Sequence, residues 1–180
     1  RFAKRYVLVV SDTHRQAVSH VMALKTELES NERIQAVYGD LTTPAWRQDE
    51  LVTRTGVVVR AVGSGDKVRG LKHGPHRPDL VICDDLENDE GVRSPDQRRK
   101  LEAWFHRALG FVGGPAGTDY IVVGTILHHD SLLAHLTRDE PGWERRTYRA
   151  IEAWPDSPLW ERWEEVLTTA EMELRYEGYL

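Results

Sequence analysis

Residues 77–90 read RPDLVICDDLENDE, in which a proline precedes four apolar residues and an acid pair follows them. The apolar run Leu80–Cys83 is short, is β-branched at its centre and shows no polar alternation. These features predict a strand that is buried on both faces, as in a parallel sheet. In open parallel sheets, ligands bind beyond the carboxyl ends of the strands. We therefore expect Asp84 and Asp85 to lie in a ligand-binding crevice.

A carboxylate pair at the edge of an apolar core is costly to keep charged unless a cation or a hydrogen-bond donor compensates it. Mg²⁺ suits such a position, because it takes one or two protein carboxylates and otherwise binds water and phosphate oxygens. The pattern is that of the Walker B segment of phosphate-loop NTPases, with Asp84 as the metal ligand and Asp85 orienting the attacking water. Because glutamate is commoner in the second role, Glu87 is a rival candidate. The alternative is that Asp84 caps the next turn and Asp85 faces solvent.

Length and composition limit the class of protein. The 180 residues suffice for one domain or most of one, and 40% hydrophobic with 29% charged residues is typical of a soluble globular chain. The net charge of −5 gives no global basic field, so any contact with DNA must be local. The single cysteine, Cys83, cannot form an internal disulfide and suggests a reducing compartment. No apolar run approaches a membrane span, and no signal peptide is visible.

Apolar runs alternate with segments of helical periodicity along the chain. We predict strands at residues 6–10, 34–38, 50–53, 57–62, 80–83, 120–123 and 143–151, and helices at residues 16–29, 95–109, 132–136 and 164–179. Asp12 or Thr13 is expected to cap the first helix, and Ser94 the second, with Pro95 at its first position. The pattern predicts an α/β fold with a mainly parallel sheet flanked by helices, and an added β-hairpin around Gly56.

Two loop residues extend the candidate site. The apolar run at 120–123 is expected to be another buried strand. Thr125 follows this strand, so its hydroxyl is placed to sense a γ-phosphate or a bound water, although a simple strand end is the alternative. Arg69 lies in a glycine-rich loop at 63–74 and is suited to reach a phosphate, its own or a neighbour's, although a solvated loop charge is the alternative. The phosphate loop Gly-x-x-x-x-Gly-Lys-[Ser/Thr] itself does not occur in the sequence. His128 and His129 are interpreted as a loop and helix cap.

Read together, these residues resemble the ATPase domain of the large terminase subunit of tailed bacteriophages and prophages. The matching segments follow one another in the family's order: Tyr6–Thr13 with Gln16 and Ala17, Gly65–Gly70, Arg77–Glu87, Val123–Leu133, and Ala150 with Leu159 and Trp160. That family drives genome DNA into a preformed capsid by ATP hydrolysis, with an N-terminal ATPase and a C-terminal nuclease of ribonuclease H-like fold. The resemblance implies a P-loop NTPase core (ASCE/RecA-like) that lacks its Walker A segment, which should lie upstream of Arg1. Residues 1–155 would belong to the ATPase domain, and residues 156–180 would begin the connection to a nuclease beyond Leu180.

The resemblance also assigns roles to single residues. Asp84 is similar to the Walker B ligand of Mg²⁺, and Asp85 stands where the catalytic glutamate usually stands, which leaves Glu87 as the second candidate. Gly124 and Thr125 resemble the coupling motif, which places Thr125 with Asp84 at the nucleotide. Arg69 is similar to an arginine that in some members reaches a neighbouring subunit's nucleotide.

The resemblance further implies cofactors, partners and a compartment. The cofactors are ATP and Mg²⁺. The partners are double-stranded DNA, the portal protein, the small terminase subunit and further copies of the chain in a ring, with no membrane involved. The compartment is the host bacterial cytoplasm. Because the phosphate cradle is absent from these 180 residues, we expect the isolated chain to be an inactive fragment of the ATPase.

Three other functions stay open at this point. A helicase-like ATPase core would use the same acid pair. A Mg²⁺-dependent nuclease would use Asp84, Asp85 and Glu87, although two-metal nucleases gather carboxylates from several strands and only one strand end here is acid-rich. A non-catalytic DNA-binding or scaffold module is disfavoured by the acidic balance of the chain.

Overall fold

A five-stranded mixed sheet organises residues 1–141, the first of two compact units; the second comprises residues 142–180. The computed structural model describes residues 4–44, 46–138, 140–148, 151–153 and 157–158. The strands are β1 (Tyr6–Ser11), β2 (Glu50–Val52), β3 (Val58–Gly63), β4 (Leu80–Asp84), β5 (Asp119–Val123), β6 (Ile151–Ala153) and β7 (Ser157–Pro158). The helices are α1 (His14–Ser30), α2 (Glu32–Tyr38), α3 (Pro95–Arg107) and α4 (Leu132–Arg138), with short 3₁₀ turns at Gly91–Arg93 and Leu109–Phe111. The α/β fold predicted from the sequence is confirmed.

The strand order in the sheet is β2-β3-β1-β4-β5. Strands β3, β1, β4 and β5 are parallel, and β2 pairs antiparallel with β3 as the predicted hairpin. In the centre of the sheet, Val9 lies between Ala61 and Ile82. The parallel strands therefore end at one common edge, which carries Ser11, Gly63 and Asp84.

Both faces of the central strands are packed. Val7 and Val59 join Ala17 and Val21 of α1 in one core cluster, and Leu80, Val9 and Ile82 pack against it. The alternate residues, which point to the other face, are fully buried: Leu8, Val10, Val81 and Cys83. The buried environment also raises the pKa of the Cys83 thiol to about 12. Strand β4 is thus covered on both sides, completely on one and partly on the other.

Helix starts follow the predicted capping chemistry. The Thr13 hydroxyl accepts a hydrogen bond from the backbone N–H of Gln16 at the start of α1, and Ser94 caps α3 ahead of Pro95. Helix α1 begins at His14, two residues before the predicted start. None of the helices in the described ranges is long and apolar enough to cross a lipid bilayer.

Three predicted elements differ from the structure. Residues 34–38, predicted as a strand, belong to helix α2, because the Asn31 side chain accepts hydrogen bonds from two backbone N–H groups of the following turn. Strand β5 was expected to be buried, but it lies at the edge of the sheet, and Ile121 and Val123 are 48% and 55% exposed. Residues 143–148, predicted as part of a strand, contain no helix or strand. The predicted helix at 164–179 and the matching residues Ala150, Leu159 and Trp160 lie outside the described residues.

Candidate functional site at the carboxyl edge of the sheet

Asp84 is the last residue of β4 and lies opposite Val123 of β5. It shares a strand face with Leu80 and Ile82, the face that packs towards α1. Its carboxylate is 40% exposed, and its Oδ2 atom lies 3.4 Å from Nε2 of His20 on α1. Asp84 therefore lies at the carboxyl end of its strand, as the sequence predicts. A half-exposed carboxylate at this point suits a Mg²⁺ ion that takes one protein oxygen and fills its other positions with water and phosphate.

Asp85 adopts a left-handed backbone conformation with φ of 46°, the one non-glycine case among the described residues. Two backbone hydrogen bonds hold it there: its N–H donates to the carbonyl of Val123, and its carbonyl accepts from the N–H of Asp12, both at 3.1 Å. Such a conformation costs about 1–3 kcal/mol for a non-glycine residue and is concentrated at functional sites. Strand β5 and the loop that follows β1 therefore hold the backbone from which this exposed carboxylate extends.

The carboxylate of Asp85 is directed towards the end of β5. A methyl group placed on Gly124 would lie 3.2 Å from Asp85 Oδ1, so a larger residue at this position would crowd the carboxylate. Thr125 is exposed and lines the same small cleft as Asp85. The structure therefore brings together Asp85, Gly124 and Thr125, three candidate residues from two separate segments of the sequence.

Glu87 caps a helix. Its two carboxylate oxygens accept hydrogen bonds from the backbone N–H groups of Leu132 and Leu133, at 2.9 and 3.0 Å, at the start of α4. Both carboxylate oxygens of Glu87 thus already accept a hydrogen bond from α4. Of the two carboxylates considered for orienting water, Asp85 is the one that the structure leaves exposed.

Arg69 lies against the carboxyl end of α3, where its Nη2 atom donates a hydrogen bond of 2.7 Å to the carbonyl oxygen of Arg107. Its side chain is exposed. In the described part of the chain, no hydrogen bond or ion pair joins Arg69 to Asp84, Asp85 or Glu87. The structure does not bring this arginine to the acid pair within one chain.

A larger cavity, of about 220 Å³, shares Leu86 and Glu87 with the small cleft at Asp85. Trp104 and Lys100 of α3 line it together with Asp12, Leu86 and Asn88. The Trp104 ring is held by a hydrogen bond from Nε1 to the Asp66 carbonyl, and Asn88 donates to the Asp12 carboxylate at 2.8 Å. No spacing signal in the sequence marks Trp104 or this cavity.

A polar network connects α3 to α4 and was not predicted. Arg98 donates to the Asp130 carboxylate at 2.7 Å, and His135 lies 2.8 Å from Glu102 and 3.3 Å from Asp130. The hydrogen bond to Glu102 raises the pKa of His135, and the hydrogen bond from Arg98 lowers the pKa of Asp130. Both charges are thus stabilised in the folded chain.

His128 lies in the loop ahead of α4, as interpreted from the sequence, and its Nδ1 atom accepts a hydrogen bond from the Asp130 N–H. Desolvation, followed by the positive charge of Arg98, lowers the pKa of His128. Its ring is stacked on that of His129.

Across the described residues, no group of three or more His, Cys, Asp or Glu side chains is arranged to hold a metal ion. A Mg²⁺ ion at Asp84 would therefore depend on phosphate and water for most of its ligands. Compared with known proteins, the chain matches no family model, no curated protein and no solved structure.

Proposed function

We propose that this chain is part of the ATPase domain of a large terminase subunit, which hydrolyses ATP to move viral DNA into a procapsid. The observation that carries the proposal is the meeting of two motifs at one edge of the sheet. Asp84 and Asp85 follow β4, Gly124 and Thr125 follow the adjacent parallel strand β5, and Asp85 Oδ1 lies beside Gly124. Ligands bind at this edge of open parallel sheets.

Each residue would have a separate part in hydrolysis. Asp84 would hold Mg²⁺, directly or through water, and the ion would neutralise charge on the transferred phosphoryl group. Asp85 would accept a hydrogen bond from the attacking water and orient it, since its carboxylate is exposed and its backbone is held by β5 and the β1–α1 loop. Thr125 would detect the γ-phosphate or the water and transmit the nucleotide state to the loop before α4.

The proposal needs a phosphate-binding loop from outside these 180 residues. Strand β5 has room for it: within the described residues β5 pairs only with β4, and Ile121 and Val123 are largely exposed. A further parallel strand beside β5 would end at the same edge as Asp84 and Thr125, and its loop would reach the site. The helix that follows a phosphate loop would pack on a face of the extended sheet and could cover the exposed apolar residues. We therefore expect the phosphate loop at the edge of β5.

The role proposed for Arg69 is to act on the nucleotide of a neighbouring subunit in a ring. Support comes from its exposed position on a loop between Gly65 and Gly70, both of which have positive φ. An arginine that neutralises transition-state charge accelerates related reactions by about 10³–10⁵. Double-stranded DNA, the portal protein and the small terminase subunit would be the other partners, in the cytoplasm of the bacterial host.

The test uses the complete protein that contains this chain. We expect Asp84→Asn to abolish ATP hydrolysis and DNA packaging with the fold intact, because the half-exposed carboxylate contributes charge and little packing. Asp89→Asn, in the exposed acidic loop that follows, is the matched control and should leave both activities unchanged. Normal hydrolysis by Asp84→Asn would reject the proposal. Hydrolysis that drives strand separation in place of packaging would favour the helicase-like alternative.

A further inference from the structure

The cavity of about 220 Å³ lies at the carboxyl edge of the sheet, where segments that follow three strands meet. Asp12 follows β1, Ser64 and Gly65 follow β3, and the residues Leu86–Asn88 follow β4. Open parallel sheets bind ligands at this edge. In the strand order, β1 and β3 lie on one side of β4, whereas β5, where we expect the phosphate loop, lies on the other. The cavity is therefore lined from the side of β4 that the proposed ATPase does not use.

Part of the lining is apolar and includes one aromatic ring that is held in place. Trp104 is half-buried, and its Nε1 atom donates a hydrogen bond of 2.9 Å to the carbonyl oxygen of Asp66. The other large apolar residues of the lining are Leu86, Val92 and Leu101. Indole rings in binding sites stack on planar rings, and every nucleobase has a face for such stacking. Because the volume is below the about 300–1,000 Å³ of sites that hold a whole small molecule, the cavity suits a single ring system.

The polar groups of the lining keep hydrogen-bonding capacity within the described part of the chain. The Oδ2 atom of Asp12 accepts a hydrogen bond from Asn88 at 2.8 Å, whereas Oδ1 has no donor among the described residues. The side-chain amide of Gln97 and the ammonium group of Lys100 likewise form no hydrogen bond or ion pair with any described residue. A methyl group placed on Gly91 would lie 3.2 Å from Asn88 Oδ1 and 3.3 Å from Gln97 Oε1, so the two amides converge.

These groups specify the chemistry of a ligand. A carboxylate only accepts hydrogen bonds, so the ligand group that meets Asp12 has to be a donor. Carboxylates accept from the exocyclic amino group of cytosine, whereas thymine and uracil present a carbonyl oxygen at that position. Amides both donate and accept, so Gln97 matches the remaining edge of a base. Lys100 is exposed and supplies a positive charge for a phosphate group.

We propose that this cavity binds a nucleotide whose base carries an exocyclic amino group. The base would stack on Trp104 and donate to Asp12, Gln97 would bind the rest of its edge, and Lys100 would contact the phosphate. The inference goes beyond the proposed function and needs no ATP hydrolysis. Its site is nevertheless connected to the acid pair, because the Asp12 N–H donates to the Asp85 carbonyl at 3.1 Å. A dissolved nucleotide and an unpaired nucleotide of a DNA strand present the same chemistry.

The experiment measures the binding of dCMP and dUMP to the 180-residue chain by isothermal titration calorimetry. These two nucleotides differ only where cytosine has an amino group and uracil a carbonyl. We expect one dCMP per chain and binding of dUMP that is weaker by about fivefold or more. Asp12→Asn should remove this preference, because an amide can also donate to the uracil carbonyl. A structural role of Asp12 alone would lower both affinities equally and leave the preference unchanged.

Two further positions test the contacts with the ring and the phosphate. Trp104→Ala should weaken dCMP binding by about 5- to 150-fold, and Trp104→Phe by much less, because phenylalanine keeps an aromatic face. Lys100→Ala should weaken the binding of dCMP but not that of deoxycytidine, which has no phosphate. Lys72→Ala, in an exposed loop, is the matched control and should leave both affinities unchanged.

A short oligo(dC) strand identifies the source of the nucleotide. Binding tighter than that of dCMP and still dependent on Trp104 indicates a DNA strand, whereas equal affinity indicates a dissolved nucleotide.

Any of four results would overturn the inference: no dCMP binding, equal affinity for dCMP and dUMP, an unchanged preference in Asp12→Asn, or wild-type affinity of Trp104→Ala. If circular dichroism shows that Trp104→Ala is unfolded, the preference of Asp12→Asn decides. Because dCMP binding and ATP hydrolysis by the complete protein are separate measurements, either proposal can fail while the other stands.

Discussion

Glu87 offers a direct way to separate a structural role from a catalytic one. Its carboxylate accepts two hydrogen bonds from the first turn of α4, from Leu132 and Leu133. Helix N-termini leave these N–H groups without partners inside the helix, and a charged acceptor also interacts favourably with the helix dipole. Removal of such a cap costs about 1–2 kcal/mol. For a chain of this length, that corresponds to a decrease of about 2–8 °C in melting temperature.

The assay is urea unfolding of the 180-residue chain followed by circular dichroism, for the wild type, Glu87→Ala and Glu87→Gln. We expect Glu87→Ala to lower the free energy of unfolding by about 1–2 kcal/mol, and Glu87→Gln by less, because the amide oxygen keeps one hydrogen bond. Glu90→Ala, in the same exposed loop, is the control and should change the free energy by less than about 0.5 kcal/mol. Unchanged stability of Glu87→Ala would refute the capping role and return Glu87 to the catalytic candidates.

Three further predictions follow. Asp85→Ala should lower the free energy of unfolding by about 1 kcal/mol, whereas Asp85→Gly should not, because glycine accepts a positive φ. Both variants should lose ATP hydrolysis in the complete protein. Equal stabilities of the two variants in urea unfolding would refute the strain argument. The raised pKa of His135 contributes stability that is complete below about pH 6.5 and is lost as pH rises through the folded-state pKa. The melting temperature should therefore fall less between about pH 6 and about pH 8 in His135→Gln than in the wild type. The same fall in both proteins would contradict this role of His135. Arg69→Ala in the complete protein should lower hydrolysis strongly and ATP affinity only modestly. Mixing Arg69→Ala with Asp84→Asn subunits should restore part of the rate, whereas simple dilution behaviour would exclude a role across subunits.

The sequence alone predicted the central strands, because strands that are buried on both faces consist of uninterrupted apolar runs. It also identified the caps of α1 and α3, Thr13 and Ser94, because capping residues are local signals. It failed at residues 34–38, where a short apolar alternation was outweighed by the Asn31 cap. It also failed for the burial of β5, because apolar composition does not reveal whether a strand has a neighbour on both sides.

The candidate site was predictable only in part, for a related reason. The position of Asp84 at a strand end follows from the residues beside it. The cap that Glu87 supplies depends on backbone groups 45 and 46 residues further along the chain. The approach of His20 to Asp84 likewise depends on how α1 lies on the sheet. Contacts across such separations leave no local pattern in the sequence. A single sequence can therefore identify candidate carboxylates but cannot determine the role of each one.

The backbone at Asp85 explains how three closely spaced carboxylates come to have different surroundings. In a continuing strand, side chains would alternate between the two faces of the sheet, and Asp84 and Asp85 would point to opposite sides. The left-handed conformation ends the strand at this point and turns the chain, so that Asp84 remains against α1 while Asp85 lies beside Gly124 at the end of β5. Two residues later, Glu87 reaches α4. The three carboxylates therefore lie against three different elements within one short segment, as the roles proposed for Asp84 and Asp85 and the helix cap at Glu87 require.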